Sequence, residues 1–172
     1  MSSVTAYTYG VDTFAECLQR AALEVERLES LEEQELPRER GLEVVSAANV
    51  ATSSLWHLTD FVFKASDPEA AAIRARVGGT NRKDFQQRVR AACPAIKLCW
   101  EMVNGAKHLE QLKHAQVDKV SLSAGASVTI IATPSKPTSG KIRAKVIFPD
   151  GRRLRTSAVL RDALREWERF RP

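Results

Sequence analysis

Pro94-Ala-Ile-Lys-Leu-Cys-Trp-Glu-Met-Val-Asn-Gly-Ala-Lys-His-Leu-Glu-Gln-Leu112 is the stretch on which the fold turns. At about 100° per residue, Ile96, Cys99, Met102, Val103, Ala106 and Leu109 share one side of a helix, the side that buries. Lys97, Glu101, Asn104, His108 and Gln111 fall on a narrow stripe opposite, with Lys107 on its shoulder. A helix with one apolar side belongs to a bundle. Its polar side holds the densest group of chemically useful side chains in the chain, Glu101, Asn104, Lys107 and His108. An ordinary solvated face accounts for the same mixture.

Upstream the chain reads as helices. Asp12 or Thr13 can cap the first. Val11, Phe14, Leu18, Ala21, Val25 and Leu28 then recur in a three-four spacing, a bundle seam. Glu24, Glu26, Glu29, Glu32, Glu33 and Glu35 read as its solvated face, and the helix is expected to run to Leu36-Pro37. A second helix, about Arg40 to Ala65, is apolar over most of its girth: Val44, Ala48, Ala51, Leu55, Leu58 and Val62 in front, Val45, Trp56 and Phe63 on one flank, Val50 and Phe61 on the other. Such a helix is central. Its thin polar stripe is Ser46, Asn49, Ser53, His57, Asp60 and Lys64. His57 and Asp60 are three apart and can touch; Asp60 can equally pair with Lys64. Asp67-Pro68 starts a short helix that Gly78-Gly79 ends. That Gly pair lacks the Gly-Lys-Ser/Thr ending of a phosphate loop. Thr80 or Asn81 caps another short helix through Ala92.

Beyond Leu112 the period changes from helix to strand. Val120 to Ser123 and Ser127 to Thr133 are β-branched and extended. Lys141 to Phe148 alternates, with Ile142, Ala144, Val146 and Phe148 on one face and Lys141, Arg143 and Lys145 on the other. Pro149-Asp150-Gly151 is a turn, Arg152 to Thr156 returns as a short strand, and Ser157 is placed to cap a last helix with Leu160, Ala163, Leu164, Trp167 and Phe170 inward. The expected fold is α+β, mainly α. It has a flexible stretch at 1–10, an antiparallel bundle of four to five helices at 11–112, and a small antiparallel β-meander with a closing helix at 113–172. That sheet is too small to stand alone, so it should pack on the bundle as one cooperative unit.

Charge divides the chain in the same place. The formal net charge is +5, but residues 1–111 hold 13 Lys/Arg against 16 Asp/Glu, and residues 112–172 hold 13 against 5. The basic lobe suits an acidic or nucleic-acid partner, with Lys141, Arg143, Lys145, Arg152, Arg153 and Arg155 as the binding residues; it can equally bind the acidic part of its own chain. No run of about 18 apolar residues predicts a membrane span, and no secretory signal is visible. Three cysteines without metal or disulfide spacing suit a reduced, cytoplasmic protein. No cofactor fingerprint is present and no metal site is expected.

Asn104-Gly-Ala-Lys107-His108, late in a helix of an antiparallel bundle, resembles the HEPN superfamily of prokaryotic helical proteins. Many of its members carry an arginine, a polar residue such as asparagine, and then a histidine. Asn104 and His108 match the last two; the arginine would fall at Glu101, Met102 or Val103 and is absent. The chain also looks like a group of bacterial helical proteins sharing an Asn49 and Trp56-His57-Leu58-Thr59-Asp60 segment with an Asn-Gly-x-Lys-His segment. The resemblance covers about residues 40–112. It implies a bacterial system, of the defence or toxin–antitoxin kind, and a homodimer through the bundle. Two functions follow as expectations. One is a non-catalytic interaction or adaptor protein whose polar stripes, Asn49, His57, Asp60 and Glu101 among them, support the bundle while the basic lobe binds RNA or an acidic protein. The other is a metal-independent endoribonuclease or nucleotide-binding protein, with His108 as acid or base, Lys107 as charge stabiliser and Asn104 as orienting residue.

Overall fold

A computed structural model describes residues 13–106, 121–124, 128–134, 139–148 and 150–172. Helix α1 (Phe14–Glu33) starts at Thr13, whose hydroxyl oxygen accepts the Glu16 amide N–H while the Glu16 carboxylate returns to the Thr13 amide N–H. Phe14, Leu18, Ala21, Val25 and Leu28 are buried, as their spacing requires. The helix stops earlier than the sequence reading placed it. Glu35–Pro37 is a strand, β1, because Leu36 does better in the sheet: it is paired with Gly140 and only 2% exposed.

Helix α2 (Gly41–Lys64) packs against every other helix and against the sheet. Val44, Ala48, Ala51, Leu55, Leu58 and Val62 are all buried, as are Val45 and Trp56; Phe61 and Phe63 are half-buried, whereas Val50 lies open to solvent. Two buried threonines on α2 satisfy their hydroxyls within it: Thr52 donates to the Ala48 carbonyl at 2.6 Å and Thr59 to that of Trp56 at 2.8 Å. Its last carbonyls, those of Val62 and Phe63, and the following Ala65 carbonyl all accept from Arg74 Nη1, at 2.8, 3.0 and 2.7 Å. Arg74 belongs to α3 (Pro68–Val77), so a cation closes the negative end of α2 from a neighbouring helix. Asp67 caps α3 and Asn81 caps α4 (Arg82–Ala92). Between them Gly79 has φ +126°, and a Cβ there would lie 2.9 Å from the Phe85 backbone, so only glycine fits.

Helix α5 is described from Pro94 to Ala106, with Ile96, Cys99, Met102 and Val103 buried. Its free amides at Ala95 and Ile96 donate to the two oxygens of Glu166 at 3.2 and 2.9 Å. Glu166 lies on the closing helix α6 (Thr156–Glu168), so this N-terminus is capped from 70 residues away. Ser157 was expected to cap α6; the helix begins at Thr156 without a side-chain cap, and the Ser157 hydroxyl points instead at Glu32.

The antiparallel sheet is built around β4 (Ser139–Ile147). On one edge β4 pairs with β3 (Val128–Pro134), which pairs onward with β2 (Ser121–Ala124). The other edge is shared: β1 takes Ser139 to Lys141, and β5 (Arg153–Arg155) takes Lys145 to Ile147. Ile142, Ala144 and Val146 face inward at 0% exposure and join the helical core, so one apolar core runs from bundle to sheet. The fold is α+β and mainly helical, with a small antiparallel sheet followed by a C-terminal helix. Among the described residues no helix is long and apolar enough to cross a membrane.

Candidate functional site

Of the expected catalytic group, Lys107 and His108 lie outside the described residues. Asn104 is half-buried on α5, and Glu101 beside it sits 3.9 Å from Lys97. The α2 stripe divides. Asn49 and His57 line an open groove of about 780 Å³ between α1 and α2, together with Arg20, Glu24, Val50 and two serines. Asp60 turns to α4. Arg82 grips it through Nε at 2.6 Å and Nη2 at 2.7 Å, Gln86 Nε2 donates at 2.7 Å, and His57 Nδ1 stands 3.7 Å away. Burial pushes the Asp60 carboxyl up, but His57 and Arg82 outweigh it and hold it below its ordinary value. Of the alternatives left open by the sequence, His57 is near Asp60, and Arg82 rather than Lys64 is its ionic partner. This is a latch between α2 and α4. No hydrogen bond or ion pair among the described residues joins Asn104 or Glu101 to His57 or Asp60.

Among the described residues no group of three or more His, Cys, Asp or Glu side chains could hold a metal ion. The cysteines are free thiols, and burial pushes Cys17 up to about 11 and Cys93 to about 12, with Cys99 raised further. They stay protonated near neutral pH and are poor nucleophiles.

The basic strands are the better-built feature, and the structure sorts their cations. The acidic side of α1, expected to be merely solvated, docks the C-terminal segment. Arg161 holds Glu29 by two bonds of 2.8 and 2.5 Å. Glu32 is completely buried: its Oε1 accepts the Ala144 amide at 2.9 Å, and its Oε2 accepts Arg155 Nε and the Ser157 hydroxyl, each at 2.8 Å. Ala144 lies in the gap that β1 and β5 leave on the β4 edge, so the carboxylate supplies the acceptor a neighbouring strand would have offered. Glu33 takes Lys141 Nζ at 2.6 Å and Arg155 Nη2 at 3.2 Å. Arg152 is bound to Asp150 at 2.7 Å, with its guanidinium 4.6 Å from the Phe148 ring centre, at the hairpin tip.

Three of the six expected binding residues are therefore already paired. Arg143, Lys145 and Arg153 have no carboxylate partner among the described residues, and they share one side of the sheet. Arg143 and Lys145 alternate with the inward residues of β4. Arg155 stands opposite Lys145 and Arg153 opposite Ile147 in the β4–β5 register, and directly opposed residues share a face. The missed residues are Glu29, Glu32, Arg161 and Arg82. Glu32 carried a visible signal: Phe14, Leu18, Ala21, Val25, Leu28 and Glu32 continue one four-three spacing, which places a charge on the buried seam.

Acid should loosen this seam. Hydrogen bonding to Arg161 pulls Glu29 below its ordinary value against the effect of burial. A carboxyl depressed in the folded state contributes stability that is fully present above the unfolded value, about pH 4.3, and is lost as pH falls through the folded value. Thermal midpoints measured from pH 6 to pH 3 should fall chiefly below about pH 4.5. Arg161→Gln should flatten part of that fall, and an acid profile identical in the variant would show that this pair carries none of it.

Comparison of the chain with protein-family models, with curated proteins and with solved structures gives no match, so the reading of this site rests on its geometry.

Proposed function

We propose that this protein is a non-catalytic binding protein whose basic sheet face receives single-stranded RNA. The observation that carries the reading is the set Arg143, Lys145 and Arg153, in register on one face and without carboxylate partners among the described residues. Cations on alternate residues of a strand recur every ~6.8 Å. A stretched single strand offers its phosphates at a comparable interval, and half-buried Ile147 between these cations offers an apolar surface to a base. Duplex is disfavoured, because a patch of three cations spans too little surface to contact both backbones.

With about three phosphate contacts, the slope of log affinity against log salt should be about −2, a loss of roughly twentyfold between 50 and 200 mM salt. Fluorescence polarisation with a labelled unstructured RNA measures it. Salt-independent binding, or full affinity in an Arg143→Gln/Arg153→Gln double variant, would count against the reading. The same RNA run on a denaturing gel decides the catalytic alternative, in which the half-buried Asn104 would orient substrate for His108. Cleavage that His108→Ala abolishes would replace the binding reading with a HEPN-like ribonuclease. Membership of a defence or toxin–antitoxin system and dimerisation through the bundle stay attached to the resemblance alone.

A further inference from the structure

The Glu33 carboxylate is 54% exposed, yet it holds two cations of the sheet face at once, Lys141 at 43% and Arg155 at 38% exposure. All three groups are within reach of solvent. Lys141 continues the alternation of Arg143 and Lys145 along β4, and Arg155 stands opposite Lys145, so both belong to the face that carries the free cations. Buried Glu32 keeps Arg155 anchored through its Nε whether or not Glu33 is present. The Glu33 contacts are therefore not needed to hold the strand in place. Exposed ion pairs of this kind contribute little to folding, and a polyanion can displace them at small cost.

We propose that Glu33 is a built-in competitor for RNA: its carboxylate occupies Lys141 and the outer nitrogen of Arg155 where phosphates would otherwise sit, and it thereby sets the affinity of the face. This rests on the RNA-binding reading above and deepens it. In the free protein the face offers three cations without carboxylate partners among the described residues, beside two that are neutralised. In the wild type the Glu33 carboxylate holds Lys141 against phosphate, so RNA reads about three contacts; without it, a strand long enough to reach past Arg143 gains a further contact at Lys141. The local carboxylate keeps weak or short anions off the face.

The test is salt-dependent RNA binding by the full chain. Glu33→Gln should bind a long unstructured RNA on the order of threefold to tenfold tighter at ~0.1 M salt and steepen the slope from about −2 to about −3. In a Lys141→Gln background the same substitution should gain clearly less, since its principal beneficiary is gone. Glu168→Gln removes an equal charge about 18 Å further along α6 from Thr156 and should change little. Unchanged affinity and slope in Glu33→Gln, or an equal gain in Glu168→Gln, overturns the competitor role. If Arg143→Gln/Arg153→Gln then loses RNA while Glu33→Gln is silent, the face binds RNA and only the competitor role fails. If the double variant binds as the wild type does, the RNA reading fails, and the competitor role with it. Polyglutamate that displaces RNA at equal charge concentration would assign the face to an acidic protein segment and overturn the RNA commitment.

Discussion

Glu32→Ala should lower the stability of the fold by about 3–5 kcal/mol, the largest single effect expected at a polar position. The side chain is 0% exposed and all three groups around it donate: the Ala144 amide, Arg155 Nε and the Ser157 hydroxyl. Alanine leaves two buried donors without acceptors and a cavity where α1, β4 and α6 meet. Glu32→Gln keeps the shape but turns an N–H toward donors, and it should recover less than half of the loss. Urea denaturation gives the free energies. A chain of this size should also show a fall in Tm of roughly 10 °C for the alanine variant. A glutamine variant within about 0.5 kcal/mol of wild type, below the usual reach of a buried-donor defect, would show that the charge of Glu32 is dispensable.

Trp167→Ala should cost a similar amount, about 3–5 kcal/mol, by a different route. Trp167 is 0% exposed on α6. Its ring lies 5.9 Å from that of Phe14 and 5.8 Å from that of Phe170, and its Nε1 donates to the Leu55 carbonyl at 3.1 Å. It thereby joins the first, the central and the last helix. Trp167→Phe keeps most of the apolar contact but loses the hydrogen bond and part of the volume, so about 1–2 kcal/mol is expected. The pair of variants separates packing from the polar tip. Equal losses for Phe and Ala would place the whole effect in the hydrogen bond and overturn the packing account.

Both sites explain why the C-terminal segment is held to the bundle as it is. Trp167 works through apolar area, which periodicity announces. Glu32 works through a polar match among residues 112 to 125 positions apart; periodicity places it on the buried seam but does not announce its partners. The same division runs through the candidate site. The alternation of β4 made its basic face readable. Which of those cations were free was not readable, because the glutamates that neutralise Lys141 and Arg155 sit on α1. Asp60 was readable as a polar residue on a buried helix, but its partner Arg82 comes from α4, and a search within one helical turn finds only His57 and Lys64. The expected catalytic pair Lys107 and His108 is outside the described residues.

The sequence by itself determined that the helices exist, narrowed their starts to Asp12 or Thr13, Asp67, and Thr80 or Asn81, and showed the change of period near the bundle's end and the inward residues of β4. These are local properties, set by side-chain spacing of 3.6 or 2 residues and by capping chemistry within one turn. Only the tertiary structure decided that the acidic side of α1 is a docking surface, that Glu32 fills the gap between β1 and β5, that Glu166 caps α5, and that three basic residues of the sheet have no carboxylate partner among the described residues. Those depend on which distant charges meet at hydrogen-bond distance, and Coulombic pairing carries no sequence period by which it can be read.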